Sequence, residues 1–247
     1  MLPDHGKISC RKCFSETEKD VVVPHESWKM INDPGAWGSS HPKYLVLGFS
    51  KGATQAGIYS KGHFDDIAFA GMRNRLTQAL AAMGVLGAEE SVDEKISDPA
   101  SSIAFGSLIR CSVSRIDEKV KKNSGKTVYS CTGPLIGKSF SEIPQVIDNC
   151  TSKYLKGLPN SVKGVFMLGN TDSYVSNCQN ILKGLFPTSY KSVNSMAVFA
   201  DNRLWVHLAH PSGLNGHFST WLNSNEGSGE KRALAQEALE LLANGGL

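Results

Sequence analysis

Three short apolar runs, separated by stretches of helical periodicity, constrain this chain's fold more than any other feature. "KYLVLGFS" (43–50) stops at Gly48 and suits a buried strand that ends in a loop. "SVKGVFMLGN" (161–170) reads the same way, and "NSMAVFADNRLWVHLAH" (194–210) is a strand, or a hairpin pair if "ADNR" turns. A further strand is expected over "SSIAFGSLIRCSVS" (101–114). Between them, Ile67, Met72, Leu76, Leu80 and Met83 recur at helical spacing over 66–85. Helices are also expected over 138–159, with Ser141 as N-cap, over 171–186, with Thr171 as cap, and over 228–246, from Ser228 to a terminal Gly pair. Strands alternating with helices predict an α/β sandwich around a mostly parallel sheet. The 247 residues read as a single domain. Residues 1–42 form an N-terminal extension with little regular structure, 51–62 a Gly-rich loop, and 115–140 a long polar insertion carrying Lys119, Lys121, Lys122, Lys126 and Lys138.

A net charge of +3 is too small to announce a nucleic-acid partner, so local clustering must carry that argument. No apolar run approaches the ~18 residues of a membrane span. The start, "MLPDHGKISC", lacks a secretory layout, so a cytoplasmic location is expected. In that compartment six cysteines read as metal ligands or thiols rather than disulfides.

"CRKC" pairs Cys10 with Cys13, a spacing open to a redox motif, zinc or coincidence. Cys111 and Cys150 would complete four thiolates for a zinc site or an iron–sulfur cluster. Alternatively they are small buried hydrophobes. Near the other end, "HLAHPSGLNGHFSTWL" (207–222) gathers His210, Asn215 and His217 on a Gly- and Pro-rich turn after a strand. In an open α/β sheet, strand ends line the ligand crevice.

Taken in order, these pieces resemble the iron–sulfur branches of the uracil-DNA glycosylase superfamily. The resemblance covers most of residues 10–222: the CxxC pair, "VLGFSKG", "AFAGMRNRL", "SLIRC", the helix "EIPQVIDNC…YL…LP", a strand ending "LGN", and "AHPSGLN". It implies a three-layer α/β/α sandwich and a monofunctional DNA glycosylase acting on DNA as a monomer, without a membrane. It also implies a structural [4Fe–4S] cluster on Cys10, Cys13, Cys111 and Cys150, with Cys131 the substitute for Cys150. His210 would stabilise the leaving base and Phe69 would stack on it. Phe49, Ser50, Ser107 and Asn215 would line its pocket; Ser212 and Gly213 would hold DNA phosphates, His217 would touch the base or sugar, and Lys51 would also bind DNA. For His210 and Phe69 the plain alternatives are a structural histidine and core packing.

Two departures bear on the chemistry. The resemblance places an acid or amide in the Gly-bracketed first motif to position water, but Phe49 and Ser50 stand there and Lys51 takes the usual Pro position. Asp66, then Asp65, then Gln55 are the substitutes on the same loop. Where the family offers an Asn to read uracil, this chain has Ser107, which cannot make a paired contact. A modified cytosine therefore stands beside uracil as the expected substrate, with removal of modified bases from phage DNA as a defence role. The alternative function is a non-catalytic nucleic-acid-binding iron–sulfur protein of the same fold. The lysine-rich insertion reads either as a phosphate-contacting arm or as a solvated loop.

Overall fold

The computed structural model describes residues 2–247. Its strands are β1 (Gly6–Lys7), β2 (Val21–His25), β3 (Trp28–Ile31), β4 (Gly35–Gly38), β5 (Tyr44–Gly48), β6 (Ile103–Ser107), β7 (Ser112–Ile116), β8 (Tyr129–Ser130), β9 (Gly164–Leu168), β10 (Lys191–Asn194), β11 (Ala197–Ala200) and β12 (Arg203–Leu208). Its helices are α1 (Ala53–Lys61), α2 (Arg73–Ala82), α3 (Val92–Ile96), α4 (Glu118–Ser124), α5 (Gly133–Ile136), α6 (Ser139–Glu142), α7 (Pro144–Tyr154), α8 (Asp172–Leu185), α9 (Phe218–Asn223) and α10 (Ser228–Ala243).

Eight strands form one sheet in the order β1-β4-β6-β5-β9-β12-β11-β10. The central four, β6-β5-β9-β12, are parallel, and every flanking pairing is antiparallel. The sheet is therefore mixed, with a parallel centre, rather than parallel nearly throughout. Its centre is buried on both faces, as such strands require. Leu45 and Leu47 of β5, Val165 and Met167 of β9, and Trp205 of β12 pack with α7 and α8 through Ile147, Cys178 and Leu182. The alternate residues Val46, Phe166, Leu168, Leu204 and Val206 pack with α2, α9 and α10 through Leu76, Trp221 and Ala235. Helices thus cover both faces. The chain leaves β5 for β6 on one side and later adds β9 on the other. That reversal opens a crevice beyond the carboxyl ends of β5 and β9, where open α/β sheets bind ligands.

"ADNR" does turn. Asp201 and Asn202 take φ of 55° and 57°, and Ala200 pairs with Arg203 in a tight hairpin between β11 and β12. Both residue types tolerate that left-handed geometry.

Several local expectations are corrected. Residues 1–42 hold four strands, and β2 and β3 join β7 and β8 in a second, antiparallel sheet. The run 101–114 is two strands in different sheets, broken by a turn at 108–111. The Gly-rich segment after Lys51 forms α1. The helix expected from residue 66 begins only at Arg73, because Phe69 (φ 53°) and Gly71 (φ 75°) break it. Ser141 caps nothing, since α7 opens on Pro144 after α6. Thr171 occupies the N-cap place of α8 without a side-chain cap bond, and Gly227, not Ser228, caps α10. The second sheet is pinned to α6 by Glu142, whose carboxylate accepts from Arg115 Nε at 2.7 Å, Arg115 Nη2 at 2.9 Å and Trp28 Nε1 at 2.7 Å. Among the described residues no helix is long and apolar enough to cross a membrane.

Candidate functional site

The loops after β5 and β6 and the turn after β12 meet at His210. On one side lies a narrow cleft of about 30 Å³, lined by Ser50, Lys51, Gln55, Phe69, Ser107 and His210 among others. On the other side a cavity of about 650 Å³ opens between Phe49, Tyr174, His210, His217 and residues 133–137 of the insertion. His210 is common to both. The narrow side has room for about two waters, whereas the broad one has the size of a small-molecule site.

The His210 ring is held by its own turn. Ser212 donates its backbone N–H to Nδ1 at 3.2 Å, and burial lowers the ring's pKa below the ordinary 6.5. Asn215 donates Nδ2 to the His210 carbonyl at 2.8 Å, and its Oδ1 accepts from His217 N at 3.1 Å. That amide is occupied in shaping the loop, although Asn215 borders the broad cavity. Ser212 Oγ accepts from Leu214 N at 3.2 Å, and Gly213 is exposed beside it.

Phe69 lies in the cleft wall, 7% exposed, its ring edge-on to Phe105 with centroids 5.9 Å apart. A positive φ in an aromatic residue is strained backbone, which persists where the surroundings enforce it and clusters at functional sites. Ser107 donates its hydroxyl hydrogen to Ile109 O at 2.8 Å, so only its lone pairs remain for a ligand. Ser50 Oγ is buried in the same cleft without a partner. Phe49 faces the broad cavity instead, packed with Phe140 and Tyr174.

The order of water-positioning candidates reverses. Asp66 is exposed and borders neither space, and Asp65 is turned to His5 Nε2 at 2.9 Å. Gln55, third in order, is the one that lines the cleft. Lys51 is also corrected. It is 3% exposed, its ammonium donating to the Arg110 carbonyl and lying 3.4 Å from the buried Asp33 carboxylate, out of reach of a DNA backbone. Burial lowers its pKa, with Asp33 opposing. Asp33 in turn accepts from Ser112 N and Oγ, both at 2.6 Å.

Behind that wall, Cys10, Cys13, Cys111 and Cys150 line one small cavity with Arg110 and Tyr154. Donors surround the thiols: Lys153 Nζ is 3.2 Å from Cys10 Sγ, and Asn149 Nδ2 is 3.4 Å from Cys13 Sγ. Burial pushes the Cys10 thiol up, but Tyr154, the Lys12 N–H and Lys153 outweigh it and lower its pKa. The Arg110 guanidinium is buried there with Nε and Nη2 unpartnered, a cation in need of an anion. Four thiolates on an anionic cluster would meet that need, so the residues fit a [4Fe–4S] group, in which each iron takes one thiolate. Among the described residues no group of three or more His, Cys, Asp or Glu side chains is positioned to hold a metal ion. Cys131 lies elsewhere, its Sγ packed against Gly52 of the first-motif loop, and does not border the cysteine cavity.

Two residues went unread in the sequence. Leu214, between Gly213 and Asn215, is 89% exposed, an apolar side chain standing free beside His210. Arg75 of α2 donates Nη1 to the Ser212 carbonyl at 2.8 Å and fixes the turn from behind. An apolar residue inside a Gly- and Asn-rich turn was the available signal for Leu214; Arg75 offered none.

Against protein-family models and curated proteins the chain gives no match.

Proposed function

We propose that the protein is a DNA glycosylase of uracil-DNA-glycosylase type that hydrolyses the N-glycosidic bond of a flipped pyrimidine and leaves an abasic site. The observation that carries this reading is the meeting of Phe69, Ser107 and His210, from three distant segments, at the carboxyl end of the sheet; a base must widen their 30 Å³ cleft into the 650 Å³ cavity that His210 also borders. Base chemistry in DNA requires extrusion of the nucleotide, a stacking face and a partner for developing charge. Phe69 supplies the face. His210, neutral and accepting at Nδ1, carries its proton on Nε2 and donates it as a hydrogen bond to the departing base. As the C1′–N1 bond breaks, the electron pair leaves with the base, water oxygen joins C1′, and the water's proton passes to the base. Gln55, which lines the cleft, would hold that water. Leu214 is placed to enter the gap in the stack, as apolar wedges do.

Ser107 favours a cytosine derivative over uracil. Its lone pairs suit the exocyclic N4 amine of cytosine, a donor, where uracil presents an acceptor. The 650 Å³ cavity leaves room for a substituent on that base, and a role against modified phage DNA follows from such a substrate. Cys10, Cys13, Cys111 and Cys150 would hold the [4Fe–4S] group, which when bound cross-links the N-terminal strands to β6, β7 and α7.

A second reading, binding without cleavage, draws on the narrowness of the cleft and the absence of a carboxylate from its lining among the described residues. One assay separates the two: incubation with DNA containing uracil, hypoxanthine, or plain or glucosylated hydroxymethylcytosine, followed by detection of free base. Release of one base supports the glycosylase. Retention of DNA with no release supports the binding protein.

A further inference from the structure

One helix of the insertion, α4, is not held by core packing. Helix α4 is a complete seven-residue helix, its first N–H groups capped by Asp117 (Lys119 N at 3.0 Å, Val120 N at 3.2 Å) and its end closed by Gly125 in the left-handed conformation. None of its residues is buried. Short helices without a packed face are marginal in water, so this one exists without the usual stabilisation.

Its charge is concentrated. From Asp117 to Lys138 there are five lysines against two carboxylates, a net +3 equal to that of the whole chain. Both carboxylates sit at the start of α4, where the helix dipole favours them, which leaves the rest of the segment cationic. Lys119, Lys121, Lys122, Lys126 and Lys138 are exposed, and among the described residues none forms an ion pair. Beside them Tyr129 is 37% exposed, with Lys29 Nζ 6.0 Å from its ring centroid. A few residues on, Gly133, Pro134, Ile136 and Gly137 become the wall of the broad cavity at His210. From Lys126 to Gly133 the chain spans at most about 25 Å, the rise of about seven stacked nucleotides.

We infer that the insertion is a second contact arm for the nucleic-acid backbone: α4 and the Tyr129 edge engage the phosphates of nucleotides that flank the one at His210. This rests on the proposed DNA-acting site. It adds that a surface remote from the His-Pro-Ser turn supplies a large share of the affinity, through lysines that pair with phosphate and release its counterions.

The test is DNA affinity as a function of salt, by fluorescence anisotropy with labelled single-stranded and duplex oligonucleotides. Three forms are compared: the wild type, K119Q/K121Q/K122Q, and K156Q/K183Q/K191Q as a control with equal charge loss on exposed lysines elsewhere. The arm predicts that the slope of log K against log salt falls by about 2 to 3 in the first variant and stays near the wild-type slope in the control. The substituted side chains are exposed and, among the described residues, form no ion pair, so circular dichroism and melting should match the wild type. Equal loss in both variants would reduce the effect to overall charge and overturn the arm. No loss in either, with the wild type binding DNA, would overturn the arm and leave the proposed site standing. A wild type that binds neither oligonucleotide would overturn both.

Discussion

The backbone N–H of Ser212 donates to Nδ1 of His210 across 3.2 Å, and this one bond decides which ring nitrogen meets a substrate. Protonation of Nδ1 would break the bond, and burial already disfavours the imidazolium, so the ring's pKa lies below 6.5. In the proposed mechanism the active form is the neutral ring. Activity should therefore be flat above neutrality and fall on an acid limb whose midpoint lies below 6.5. A pH profile of single-turnover base release checks this, and a midpoint at or above 6.5 attributable to His210 would contradict it.

Ser107 sets the second expectation. Replacing it with Asn supplies an amide that can both donate and accept, which matches uracil's edge. Ser107→Asn should raise uracil release relative to modified-cytosine release by about a hundredfold or more, the discrimination that buried hydrogen-bond matching provides. Unchanged relative rates would show that the base's edge does not meet residue 107.

The cysteine cavity predicts a sharp division among the six thiols. With the proposed cluster bound, Cys111→Ser or Cys150→Ser should remove its visible absorbance and iron, whereas Cys131→Ser and Cys178→Ser should retain both. Cys178 is buried under α8 in the core, and Cys131 sits on Gly52. Loss of iron in Cys131→Ser with retention in Cys150→Ser would reverse the assignment.

Glu142 links stability to pH. Its carboxyl is held at about 2 by Arg115, with Trp28 also donating, against an ordinary 4.5. The unfolded chain therefore takes up the proton first as pH falls. The stabilisation is fully present above about 4.5 and is lost as pH drops towards 2. In urea unfolding, Glu142→Gln should destabilise the protein near pH 6 and narrow the difference from wild type at pH 3. An equal difference at both pH values would contradict the linkage.

The central strands were legible because β5, β9 and β12 are buried on both faces and announce themselves as local apolar runs. Strands β2 and β3 were not, since β3 depends on pairing with β7 some eighty residues away and β2 on pairing with β3, and the β2 residues Val21 and Val23 stay exposed. Motif order singled out Phe69, Ser107 and His210, which share one cleft, and four cysteines that line one cavity. It misled on Lys51, because a lysine reads as exposed unless its counter-charge is known. Asp33 supplies that charge from a different strand connection. The bonds Asn215 makes within its own turn were not legible either, because they depend on loop geometry that spacing does not encode.

The most direct measurement is abasic-site formation on the DNA that yields free base, comparing wild type with His210→Ala under single-turnover conditions. The account predicts a loss of about 10² to 10³ in the rate, the scale of removing one hydrogen-bond donor to a developing anion. The variant should still bind the DNA. Equal rates in the two proteins, or no abasic site with any substrate, would contradict the assignment of this cleft as a glycosylase active site.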